Sequence, residues 1–147
     1  MRKLLALLLL PVTLFAQPVY NSAGSIPSIP KGVVFVLFNA ETPTPGTGTT
    51  AASQQVSFAS TIAKTGNPFS VDGKFSGAPG AFEVDVQVAA VDADTNYQTI
   101  SGGNITTVDA TNFTFHIDCP TVITRFMRLL VRTRTNSVTL TATVTGG

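Results

Sequence analysis

The chain has 147 residues, of which 12% are charged, with nine basic side chains against eight acidic. So few and so evenly balanced charges leave no electrostatic footprint for nucleic acid, which needs an excess of Lys and Arg to displace counterions from phosphates. The single cysteine, Cys119, excludes an internal disulfide framework, so the fold has to stand on packing alone.

Arg2 and Lys3 precede an apolar stretch over residues 4–10, continued by residues 11–15, and Leu14, Phe15 and Ala16 supply the small-residue chemistry of a cleavage site. Residues 1–16 are therefore expected to be a secretory signal cut before Gln17, because the apolar run is too short to cross a bilayer comfortably. Losing Arg2 and Lys3 leaves seven basic residues against eight acidic, a net charge of −1. No membrane span is expected after cleavage, and the mature protein is expected to be secreted, periplasmic or extracellular.

Residues 17–31 carry Pro18, Pro27 and Pro30 among Ser, Asn and Gly, and read as an extended arm. The continuous apolar run at 33–38 suits a strand covered on both faces. Residues 39–53, NAETPTPGTGTTAAS, read as a mobile loop between that strand and the body, since so few apolar groups cannot offset the entropy of ordering them.

From Gln54 onward the period is two. Val56 and Phe58 alternate with polar neighbours, and Phe69, Val71 and Phe75 share a face with Gly73 as an expected bulge. Phe82, Val84, Val86 and Val88 against Glu83, Asp85 and Gln87 make the clearest half-buried strand. A turn at 92–96, a short strand at 97–100 and a second turn at Gly102-Gly103-Asn104 follow. Phe113, Phe115 and Ile117 alternate with Thr114, His116 and Asp118 up to Pro120, which is expected to end the strand. Met127, Leu129 and Val131 line one face of the next strand, and Val138, Leu140, Ala142 and Val144 one face of the last, across from a row of threonines. Asn136-Ser137 reads as the turn of a terminal hairpin. Eight or nine short strands without a helical period predict an all-β, jelly-roll-like antiparallel sandwich. Its main body is 54–147, with the strand at 33–38 packing into it and 17–53 forming the arm, first strand and loop.

No catalytic set is evident. There is one histidine, and His116 and Asp118 point to the same strand face while Cys119 points to the other, so a Cys–His pair would need a distorted strand. Cys119 is expected to be buried. His116 and Asp118 lack further metal ligands at a recognisable spacing. Glu83 and Asp85 share a face at a separation permitted for inverting glycoside hydrolysis, but any alternating strand places polar residues so, and a solvated sheet face is the simpler reading. Asp92, Asp94 and Asn96 copy the opening of a calcium loop; Tyr97 then stands where Gly is needed and Gly103 where Glu is needed, which favours a plain turn over structural calcium. Phe126, Arg128, Arg132 and Arg134 fall on even positions of one strand. They form a candidate face for docking another subunit or an anionic ligand, although pairing with Glu83 or Asp85 across the sheet is the better-supported expectation.

Three segments, FSGAPGAFEVDVQVAAVDADTNYQTI, NFTFHID and RFMRLLVRTRTNSVTLTATV, together resemble the strand pattern of discoidin-like and galactose-binding-like jelly rolls found in exported bacterial and phage-associated proteins. The resemblance covers about the C-terminal half. It implies a jelly-roll fold and a non-catalytic role, while the lack of Trp departs from the aromatic loop tips of those domains, so no binding residue carries over. The expected function is assembly or a surface structural role, with self-association or another surface protein as partner. A soluble glycan-binding module is the alternative.

Overall fold

The computed structural model describes residues 28–29, 31–47, 51–58, 67–122 and 124–146; the expected signal at 1–16 and most of the arm lie outside them. Among the described residues nine strands are formed: β1 (Ser28–Ile29), β2 (Val34–Glu41), β3 (Val56–Phe58), β4 (Asn67–Phe75), β5 (Phe82–Ala89), β6 (Gln98–Ile105), β7 (Thr114–Val122), β8 (Phe126–Arg134) and β9 (Leu140–Gly146). They build two sheets, one ordered β1-β3-β8-β5-β6 and the other β2-β9-β4-β7. Every ladder is antiparallel except the two-residue β1–β3 pairing.

The connectivity defines the architecture. Only β5 and β6 follow one another within a sheet; every other connection crosses from one sheet to the other. Without β1, the two four-stranded sheets β3-β8-β5-β6 and β2-β9-β4-β7 have the double Greek-key order of a jelly roll.

Alternation produces the core. Val71, Phe75, Val84, Val86, Met127, Leu129, Val131, Leu140, Ala142 and Val144 all turn inward and are buried. Phe75 joins the layers, with its ring 5.2 Å from that of Phe82 on the facing sheet and 6.1 Å from that of Phe115. Burying an aliphatic or Phe side chain of this kind contributes about 1.5–3 kcal/mol, which is how a chain without disulfides holds two sheets together.

Several expectations are corrected. Gly73 is no bulge: the ladder runs without a shift from Asp72–His116 through Gly73–Phe115 to Lys74–Thr114. Its missing side chain leaves room for the Phe115 ring, whose nearest atom would stand 2.0 Å from a Cβ at this position. Pro120 does not end its strand, because β7 is an edge strand and an edge tolerates a residue without an N–H. Gly102-Gly103-Asn104 is not a turn between strands but part of β6, where Asp85–Asn104 and Gln87–Thr99 pairing leaves a wide irregularity and Gly102 takes a φ of 75°. Asn136-Ser137 makes no hairpin, since β8 and β9 lie in different sheets. Asn136 instead fastens this crossing to the β4–β5 connection, its side-chain amide donating to the Ala78 carbonyl at 2.9 Å.

The strand at 33–38 is β2, an edge strand with Val33, Val34 and Val36 exposed, so it is not covered on both faces. Much of the expected loop at 39–53 is ordered against the body. Residues 39–41 extend β2, Pro43 is buried, and the chain then follows the side of β8: Gly46 N–H donates to Val131, Ala52 bridges Leu130, and the Ser53 hydroxyl accepts from Leu129 N–H. Ala51, Ala52 and Leu130 form a small apolar cluster of their own, which offsets the poverty of larger apolar groups.

Candidate functional site

The Arg-bearing strand β8 lies between β3 and β5, and the register decides where each guanidinium goes. Glu83 faces Thr133 while Val84 faces Val131, so Arg132 is an extra residue in β8, a bulge. Beyond it the parity flips, and Arg134 comes opposite the inward-facing Phe82. The even-position face is therefore broken: Arg128 and Arg132 stay on the outer side of the five-stranded sheet, and Arg134 turns toward the end of the sandwich. There it donates to three carbonyls, of Asn136 at 2.5 Å, Val138 at 3.3 Å and Pro43 at 3.0 Å.

On the outer face Asp85 and Gln87 of β5 are buried, while Glu83 stays partly exposed. Asp85 is 1% exposed and accepts from Thr99 Oγ1 at 2.9 Å, Asn104 Nδ2 at 2.6 Å and the Arg132 guanidinium. Glu83 accepts from Asn104 at 2.9 Å and lies 3.9 Å from Arg132. The expected solvated face of carboxylates is thus a network covered at Asp85, where side chains of β6 and β8 close over β5 from both sides, and open at Glu83. Arg128, 2% exposed, donates to Gln87 Oε1 at 2.9 Å and Asp94 Oδ1 at 2.5 Å, and its guanidinium sits 4.1 Å from the Tyr97 ring centroid. Phe126 is half-buried, with the Arg125 guanidinium 5.4 Å from its ring centre.

Asp92, Asp94 and Asn96 do sit on a tight connection, a single 3₁₀ turn over Asp94–Asn96. Its carboxylates are directed apart: Asp92 accepts from the Tyr97 hydroxyl at 2.8 Å, and Asp94 from Arg128. Burial and the adjoining Asp92 carboxylate raise the Tyr97 phenol above its ordinary pKa. This turn is clamped onto β8 through a Tyr–Arg stack, and each carboxylate of the D-x-D pattern has its own protein donor.

The second polar cluster lies on the outer face of the four-stranded sheet. His116 Nδ1 is 2.7 Å from Asp72 and Nε2 is 3.1 Å from Asp118. Carboxylates only accept, so an imidazole that satisfies both must carry both protons. Accordingly His116 is held above its ordinary pKa, chiefly by the Asp72 hydrogen bond, with desolvation opposing and Asp118 adding to the rise. The two carboxylates occupy opposite ends of the ring and do not converge on one point with it. Among the described residues, no three His, Cys, Asp or Glu side chains are grouped so as to hold a metal ion. Cys119 points inward and is buried, which pushes its thiol up to about 12.

Sequence reasoning did not find Asp72 as the partner of His116, nor the stack of Arg128 on Tyr97. Both depend on which strands become neighbours. It also did not find the apolar edge of β2. Val33, Val34 and Val36 are 46%, 58% and 47% exposed. Val34 and Val36 pair with Thr145 and Thr143, which puts them on the outward side of the sheet. The signal was present as an uncharged run, but the run alone does not say whether a strand is central or at an edge.

Comparison of the sequence with protein-family models and with curated proteins finds no match to either. What the chain can be assigned to is the class its topology defines, a jelly-roll β-sandwich. Among the described residues, no helix is long and apolar enough to cross a membrane.

Proposed function

We propose that this is an exported, non-catalytic assembly subunit whose jelly roll associates with further protein through its four-stranded sheet. One observation carries the reading: a strand left at an edge among the described residues exposes Val34 and Val36 with Val33 just before it, while the arginines once suited to a docking face are engaged within the fold. A long, uncharged, apolar edge offers both main-chain hydrogen-bonding groups and hydrophobic area to another chain, and proteins that stay monomeric usually blunt such edges with charge or Pro. Export rests on the basic, apolar and small-residue pattern of residues 1–16.

The glycan-binding alternative draws on a shallow depression of about 240 Å³ on the same sheet, lined by Asp72, Lys74, Thr114, Thr141 and Thr143 among others. Those groups can hydrogen-bond hydroxyls. Light scattering on the purified protein across a concentration series separates the readings. Assembly predicts a mass that rises with concentration; a constant monomer mass together with retention on immobilised glycans would replace it with the alternative.

A further inference from the structure

We infer that the partner on the β2 edge is a second copy of this chain, its β2 running antiparallel to the first about a two-fold axis at Phe35. The inference rests on the assembly reading and adds the partner and the register.

The four sheet edges differ sharply. β1 is two residues long, β6 is broken by the irregularity at Gly102, and β7 carries Pro120, His116 and Asp118. β2 is the edge, among the described residues, that carries exposed large apolar side chains, Val34 and Val36, and it has neither charge nor Pro over residues 32–40. Its charges stand at the two ends, with opposite signs: Lys31 in the preceding turn and Glu41 at the last position.

The spacing is self-complementary. Lys31 lies four residues before Phe35. Phe35 pairs with Val144 and Glu41 with Leu140, so Glu41 lies four ladder positions beyond Phe35 once the two irregularities of β2 are counted out (144 − 140 = 4). An antiparallel two-fold axis at Phe35 thus brings the turn that bears Lys31 in each copy to the end of β2 that bears Glu41 in the other. The same axis sets Val34, paired with Thr145, against Val36, paired with Thr143, so the exposed valines of the two copies cover each other. An isologous contact of this kind closes on itself and needs no second surface. It would join two four-stranded sheets into one continuous sheet of eight.

The test compares self-association of the full chain with V36K, K31E, E41K and the double swap K31E/E41K by sedimentation velocity. These positions are exposed or half-buried at the sheet margin, and a matching thermal melt verifies that each variant is folded. V36K is expected to weaken association about tenfold or more, since it replaces an apolar cross-strand contact with Val34 of the other copy by a charge on each side of the axis. K31E and E41K are each expected to weaken it about three- to fivefold by setting like charges together, and the double swap to restore it. If V36K associates as the parent does, or the swap is no better than the single changes, the β2 pairing is overturned while the assembly reading stands. A parent chain that stays monomeric throughout overturns both.

Discussion

Gly73 and Phe115 face each other across β4 and β7, with the Phe115 ring in the space a side chain at 73 would take, and neither residue explains itself in the sequence. A glycine amid an alternating strand suggested a bulge, yet its purpose is to admit a ring from the neighbouring strand, which only the pairing of β4 with β7 reveals. Gly73→Ala is expected to cost about 2–3 kcal/mol through overpacking, and much less in a Phe115→Leu background, so chemical unfolding of the double-mutant cycle should show strong coupling. Asp85 makes the complementary case. Asp85→Ala strands Thr99, Asn104 and the partly exposed Arg132 together, and is expected to destabilise by about 3 kcal/mol in the same assay, with Asp85→Asn costing less because it keeps an acceptor. At His116 the folded pKa is raised, so its contribution to stability is fully present below the ordinary value of 6.5 and is lost as pH rises through the raised value. NMR titration should find the His116 pKa above 6.5, lowered more by Asp72→Asn than by Asp118→Asn, in keeping with the order of the two hydrogen bonds.

Strand β8 shows how a single inserted residue redistributes a whole set of side chains. Strict alternation places Arg128, Arg132 and Arg134 together, and it is the bulge at Arg132 that sends Arg134 to the end of the sandwich. No local feature of RFMRLLVRTRT announces that bulge, because both residues it juxtaposes, Arg132 and Thr133, are acceptable on an exposed strand. By contrast the inward sets of β4, β5, β8 and β9 were legible residue by residue, since a buried face imposes the two-residue period directly. The turn between β5 and β6 is held to β8 by Arg128, which binds Asp94 and stacks on Tyr97. Arg128→Ala is expected to free Tyr97 and lower stability by about 2 kcal/mol, less than for a wholly buried ion pair because Asp94 is half exposed, and the loss should register as faster amide exchange over residues 92–97.

At the scale of the molecule, a chain with no disulfide and few charges is organised as two sheets whose connections cross at nearly every step. The sandwich was readable from periodicity and turn chemistry, and the order of strands was not: the terminal hairpin suggested by Asn136-Ser137 is a crossing, because β9 finds its neighbours in β2 and β4. The same limit concealed the surface on which the functional account depends. A run of apolar residues reads as a covered strand until the topology leaves one side of it without a neighbour, and then it becomes an invitation to a second chain. Hydrogen exchange of the amides at 33–37, followed at low and high protein concentration, examines that surface without any substitution. The account predicts exchange there that slows as concentration rises while the β7 edge is unaffected; β2 amides that exchange at one rate at every concentration would contradict it.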